Sequence, residues 1–189
     1  RRLRKRDKSQ YLMNTDFIHT NRLTLRPLVK SDAFDLFRLD SNPEVVRFLG
    51  NHPVESIEQV YIYLGSIMHQ YTKNGIGRWA VIEKETGLFV GWAGLKYIDT
   101  PINGHNCFYD VGYRLKPEFW GKGYATESTV AWIEYAKNHL NLKELYSVTH
   151  IDNKASQNVL QKCGFLRKNT FLDTIHDETI DCVWFELKW

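Results

Sequence analysis

Apolar and polar residues alternate through RLTLRPL, residues 22–28, as they do along a half-buried strand, and Pro27 marks that strand as an edge. The period then lengthens. In SDAFDLFRL a short helix is expected, with Ser31 as its cap and Ala33, Phe34, Phe37 and Leu39 on its buried side. A longer helix is predicted where Ser56 and Gln59 have the spacing of a capping box. There Val60, Leu64, Ile67, Met68 and Tyr71 recur at helical intervals until Gly75. RWAVIE, the turn KETG and LFVGWAGLKYI read as a hairpin. CFYDVGYRL, residues 107–115, is a further strand, followed by a glycine-containing segment and an amphipathic helix to about His139. ELYSVTH reads as a buried strand, NKASQNVLQKCGF as a short helix, and FLRKNTF with TIDCVWFELKW as a closing strand pair. Strands on both sides of two helices predict a mixed α/β sheet, and no repeat or linker interrupts it.

With 189 residues, 43% of them hydrophobic and 25% charged, the chain fits one domain with a substantial core. No run approaches the roughly 18 to 20 apolar residues of a membrane span, and no secretory leader is recognisable, so a soluble, cytoplasmic protein is expected. The formal charge of +3 is local: RRLRKRDK contributes a net +5 and leaves the remainder at −2. That segment precedes Met13 and lacks interleaved aromatics. Residues 1–12 are therefore read as a disordered tail or expression remnant and 13–189 as the domain, with nucleic-acid binding through a native basic arm as the competing reading. Cys107, Cys163 and Cys182 lack the paired spacing of a zinc site, so reduced, mostly buried thiols and no metal are expected.

The chemistry concentrates in FWGKGYATES, residues 119–128. Glycine permits close backbone approach, and a helix start presents unpaired N–H groups, so a strand, glycine loop and helix in series form an anion cradle. A Walker loop would need Ser or Thr after Lys122, where Gly123 stands. A dinucleotide fingerprint would need a third glycine, where Thr126 stands.

The succession Leu115, KPEF, Trp120, Gly121, Lys122, Gly123, Tyr124, Ala125 resembles the pyrophosphate loop of the GNAT acetyltransferase superfamily. Trp120 replaces the usual Gln or Arg anchor, which is similar to the RimJ/RimL-like branch, named for ribosomal-protein N-terminal acetyltransferases. NRLTLRPLVKSDAFDLF, VGWAGL, YDVGYRLKPEFWGKGYATE and DNKASQNVLQKCGF extend the resemblance in order over roughly residues 20–189. It implies a mostly antiparallel sheet in which two central parallel strands splay to form an acyl-CoA cleft, with helices on both faces.

The resemblance further implies that acetyl-CoA places its pyrophosphate on backbone N–H groups from Gly121 to Thr126, with Lys122 adding charge. Pantetheine would pair with Val111, Tyr113 and Leu115, and with Asn153, whose competing role is a helix cap. The Val111 amide would support the thioester oxyanion. Asp110 is the candidate to orient or deprotonate the amine, directly or through water, against a structural role. Leu160 stands where many family members carry an acidic tyrosine, so Ser156 becomes the candidate donor to the leaving sulfur, against a capping role. The same replacement keeps open a regulatory acyl-CoA-binding protein without turnover. Glu127 is expected to serve the helix dipole and local hydrogen bonds. Trp79, Trp92 and Tyr97 either line an acceptor pocket or belong to the core, and His105 and His176 are loop residues with no assigned role. The acceptor is expected to be a protein N-terminus or small amine. Neutralising an α-amine at pH 7 costs about 1 kcal/mol, against roughly 4 for lysine.

Overall fold

The computed structural model describes residues 17–175 and 178–189, so the basic start and His176 lie outside the described residues. Strands β1 (Ile18–His19) and β2 (Leu23–Pro27) lead through a single 3-10 turn into α1 (Ala33–Asp40), α2 (Pro43–Val46) and α3 (Ile57–Asn74). The hairpin β3 (Arg78–Glu83) and β4 (Phe89–Ile98) precedes β5 (Phe108–Leu115), α4 (Tyr124–Asn138), β6 (Glu144–His150) and α5 (Lys154–Lys162). Strands β7 (Leu166–Ile175) and β8 (Glu178–Lys188) close the chain.

Among the described residues these strands form one eight-stranded sheet in the order β1-β2-β3-β4-β5-β6-β8-β7. Every neighbouring pair is antiparallel except β5 and β6, whose parallel pairing is confined to Asp110 opposite Tyr146. Side chains alternate along β5 and engage helices on opposite faces: Arg114 reaches Asp40 of α1 at 2.6 Å, whereas Tyr113 reaches Ser156 of α5. The main core is continuous across the sheet. Trp79 of β3 meets Trp132 of α4 edge to face with centroids 5.0 Å apart, and Leu23, Leu25, Leu36 and Val60 are fully buried. The mixed α/β architecture expected from the strand and helix order is thus present.

Local details differ. Strand β2 is covered by β1 and is not the sheet edge. In α1 the buried side is Ala33, Leu36, Leu39 and Asp40, while Phe34 is 66% exposed. The helix starts at Ala33, and Ser31 does not cap it. Asp32 organises the entry instead, accepting both Arg26 guanidinium nitrogens at 2.8 Å and the Val29 amide at 2.9 Å. In α3 the expected residues Val60, Leu64, Ile67 and Tyr71 are buried, but the capping box does not form: Gln59 Oε1 accepts from Glu55 N, one residue early. The cysteines are free, yet Cys107 is exposed rather than buried.

Gly91 fixes how closely β4 approaches β5 at Leu115, its partner across the ladder. Its φ is +155°, and a Cβ there would lie 2.1 Å from the Arg114 carbonyl oxygen and 2.8 Å from Leu115 Cα. Gly91→Ala is expected to cost about 3 kcal/mol or more by parting the strands. Gly87→Ala, in an open turn, is expected to cost about 1 kcal/mol. Denaturant unfolding that gives equal losses would show that the close approach is relaxed without cost.

Candidate active site

Beyond Asp110 and Tyr146, β5 and β6 separate and leave a cleft of about 640 Å³. A side chain also links the two strands at the opening: Ser147 Oγ donates to the Val111 carbonyl at 2.9 Å. Tyr113 and Leu115 line one wall, Thr149, His150, Asn153 and Ser156 another, and Trp120, Gly121, Gly123, Tyr124, Ala125 and Thr126 close the end. The short helix α2 and the segment after it complete the lining with Glu44, Val45, Arg47, Phe48 and Leu49.

The loop between β5 and α4 is held from three sides. The Trp120 indole N–H donates to the Leu115 carbonyl at 2.8 Å, which ties the loop back to the strand that enters it. Tyr124 packs its ring inward and hydrogen-bonds Glu83 of β3 through its hydroxyl. Arg22 donates to the Lys122 carbonyl at 2.9 Å and stacks its guanidinium over the Tyr124 ring at 4.6 Å. Gly123 is the N-cap of α4 at φ +81° and has no side chain to occupy the first-turn amides. A fifteen-residue helix therefore presents its unsatisfied N–H groups and positive dipole end to the cleft.

Glu127 secures this arrangement. Its carboxylate accepts from the Thr20 hydroxyl at 2.6 Å, the Arg22 amide at 2.9 Å and Arg22 Nε at 2.8 Å. Burial opposes its ionisation, but these donors more than offset it and hold its pKa below the ordinary 4.5. The expectation of a non-catalytic Glu127 fits these contacts, although the partners lie about a hundred residues away in sequence.

The predicted site residues divide. Ten of them line the cleft, namely Tyr113, Leu115, Trp120, Gly121, Gly123, Tyr124, Ala125, Thr126, Asn153 and Ser156. Val111, Lys122 and Asp110 do not. Val111 is buried, with its carbonyl engaged by Ser147. The Lys122 ammonium sits over the Phe119 ring at 4.9 Å. Asp110 faces the other side of β5, where its carboxylate is 2.5 Å from Arg78 Nη2; burial raises its pKa, with Arg78 acting in the opposite direction. Asn153 caps α5, its Oδ1 accepting from Ser156 N at 3.1 Å. That bond leaves the Ser156 hydroxyl, which receives the Tyr113 hydroxyl at 3.3 Å, free of capping duty. Trp79 and Trp92 are buried in the core. Trp92 lies between the guanidinium groups of Arg78 and Arg114, at 5.1 and 5.2 Å. Tyr97 packs on Tyr109, and His105 stacks on Trp184, so neither lines the cleft.

Sequence reading missed His150, Arg47, Phe48 and the Arg22 clamp. His150 ends β6 with Nδ1 accepting the Asp152 amide at 3.0 Å and its ring against Phe48 at 5.4 Å. The α2 signal was present locally, since Asn42 caps Glu44 N at 3.0 Å ahead of Pro43 at the first helical position. No group of three or more potential metal ligands occurs among the described residues.

Residues 22–166 match the acetyltransferase (GNAT) domain. The chain belongs to the GNAT acetyltransferase family. It is 32% identical over 152 residues to the N-acetyltransferase YoaA of Bacillus subtilis, covering 80% of this chain and 83% of that protein. It is 31% identical over 160 residues to the FsC-acetyl coenzyme A-N(2)-transacetylase of Aspergillus fumigatus, covering 82% and 67%. Among solved structures it resembles RimL, a ribosomal alpha-N-protein acetyltransferase in complex with coenzyme A. That match has a TM-score of 0.77 at 18% identity and covers 92% of this chain and 98% of that one. The family makes this protein an acyltransferase. No helix among the described residues is long and apolar enough to cross a membrane.

The depressed pKa of Glu127 has a stability consequence. Its contribution is complete above the unfolded value near 4.5 and is lost as the pH falls through the lower folded value. Glu127→Gln is therefore expected to lower Tm at pH 7 and to flatten the acid limb of the stability profile. A parallel downward displacement at all pH values would show that the carboxylate charge is not what the clamp uses.

Proposed function

We propose that this protein transfers an acetyl group from acetyl-CoA to a primary amine by direct attack, with an α-amine or another amine of lowered pKa as acceptor. The observation that carries the reading is the uncapped start of α4 at the closed end of a cleft between two parted parallel strands. Such a start accepts a pyrophosphate on amides 121–126, and parted strands leave backbone groups of β5 for the amides of pantetheine. Arg47 and Lys162, which also line the cleft, supply positive charge for phosphate. Asn153 would meet the pantetheine arm through the amide group not engaged in capping.

Direct attack requires positioning and a polarised carbonyl rather than an enzyme nucleophile. The Ser156 hydroxyl is the proposed donor to the departing sulfur. Asp110 lies on the face of β5 opposite Tyr113, so it would orient the incoming amine from the side away from the thiol, through water, while paired with Arg78. Asp110, the carboxylate beside the parted strands, is already paired with Arg78, which favours an amine that needs little deprotonation. The RimJ/RimL-like Trp-Gly-Lys-Gly-Tyr-Ala string points the same way, as do the activities for which RimL and the N(2)-transacetylase are named.

Two measurements test the proposal. Gly123→Val places a branched side chain at φ +81°, where even a Cβ would stand 3.4 Å from Arg22 Nη2, and is expected to weaken acetyl-CoA binding at least about tenfold in a folded variant. Unchanged affinity by calorimetry would remove the pyrophosphate assignment. In competition at pH 7, a peptide with a free N-terminus and blocked lysine is expected to be acetylated faster than its mirror with a blocked N-terminus and free lysine. Preference for the lysine peptide would overturn the acceptor assignment and make Asp110 the base.

A further inference from the structure

Helical serines usually spend their hydroxyl proton on the preceding turn, and Ser128 of α4 does so, donating to the Tyr124 carbonyl at 2.8 Å. Ser156, in the first turn of α5, does not. Its backbone N–H is bound by the Asn153 cap, and its hydroxyl makes one hydrogen bond among the described residues, as acceptor from the Tyr113 hydroxyl at 3.3 Å. Both side chains line the cleft, and they come from its two opposite walls, β5 and α5. One turn further along α5, Leu160 is buried and apolar, so that position supplies no proton donor.

From this geometry we infer that Tyr113 is a positioning residue for thioester cleavage, holding the Ser156 hydroxyl so that its proton is presented to the leaving sulfur. The inference rests on the reading of the cleft as an acetyl-CoA site. A serine hydroxyl has one proton and two lone pairs. With a lone pair occupied by the Tyr113 proton, the serine proton is directed away from the tyrosine and into the cleft. Donation from Tyr113 also polarises the serine O–H, which strengthens it as a donor to developing negative charge. Burial pushes the Tyr113 hydroxyl up to about 12, against the lowering effect of the Ser156 contact, which keeps it protonated and so able to donate at every working pH. The same shift makes a phenolate costly, so Tyr113 orients the serine and does not itself supply the proton.

In the step concerned, the amine nitrogen bonds to the thioester carbon, the carbon–sulfur bond breaks and the bonding pair leaves on sulfur. The Ser156 hydroxyl hydrogen-bonds to that sulfur as charge develops. Solvent delivers the proton that completes the coenzyme A thiol, and the proton lost by the nitrogen passes to solvent. Because the serine contact strengthens only as the bond breaks, its loss reduces kcat and not acetyl-CoA binding.

The test is a double-mutant cycle on the full chain, using Tyr113→Phe, Ser156→Ala and the double variant. Single-turnover rates are read with saturating acetyl-CoA and amine, alongside acetyl-CoA Kd by calorimetry and Tm. Ser156→Ala is expected to slow transfer about 10²-fold, the loss typical of removing one hydrogen-bond donor to developing negative charge. Tyr113→Phe is expected to slow it about tenfold with Kd within threefold of wild type. The double variant is expected to match Ser156→Ala alone, because a positioning residue has nothing to act on once the serine is gone. Losses that multiply in the double variant would overturn the inference, as would a Tyr113→Phe rate equal to wild type or a Ser156→Ala variant with unchanged transfer. Wild-type protein that does not bind acetyl-CoA would instead remove the site reading beneath it.

Discussion

The Ser147 hydroxyl bound to the Val111 carbonyl at 2.9 Å stands where two adjacent parallel strands stop forming a sheet. On one side of it Asp110 still pairs with Tyr146; on the other, β5 and β6 part and the cleft begins. A sheet opened at its centre would ordinarily strand backbone donors and acceptors away from partners. This sheet limits that cost by pairing the other edge of each parted strand: β4 continues along the whole of β5 from Leu115 to Phe108, and β8 runs along the whole of β6. The close approach of β4 at Gly91 and the return of β8 between β6 and β7 are thus what allow one central seam to remain open.

The loop that closes the cleft depends on contacts made elsewhere in the chain. Trp120 bonds to the strand that precedes it, Tyr124 to β3, and Arg22 reaches from the start of β2 to the Lys122 carbonyl while Glu127 grips Arg22 in return. The loop is therefore ordered by the protein's own contacts, which would spare a ligand bound there the ordering cost otherwise subtracted from affinity. Opposite faces of β5 then hold different polar groups, with Tyr113 and Ser156 on the α5 side and Asp110, Arg78 and Arg114 on the side of α1.

Strand and helix order, the glycine loop before α4 and most of the residues that line the cleft were legible because they depend on local signals: glycines at a helix start, period-2 strands and one dominant helical stripe. What escaped depended on packing. The phase of α1 is set by where Asp32 and Arg26 stop the preceding turn, so Phe34 points outward although its sequence neighbours are apolar. Arg22 and Glu127 are separated by 105 positions, and no local pattern announces their pairing. Asp110 sits in the signature strand, but only three dimensions reveal Arg78 against it. Tyr113 was read for its place on a strand expected to pair with pantetheine, and the contact of its hydroxyl with Ser156 shows only in three dimensions. The cap and proline that define α2 were readable and were passed over, which hid Arg47 and Phe48 along with it.

Amide hydrogen exchange with and without acetyl-CoA tests the central claim most directly, since the cleft is held to bind through backbone groups. Protection is expected to rise at residues 121–126 and 113–115, and at the free edge of β6 near residues 148–150. Residues 17–20 and the outer side of α4, which line a separate apolar groove, are expected to remain unchanged. Protection concentrated in that groove, or bound acetyl-CoA with no change at residues 121–126, would contradict the assignment of the parted strands and the start of α4 as the acetyl-CoA site.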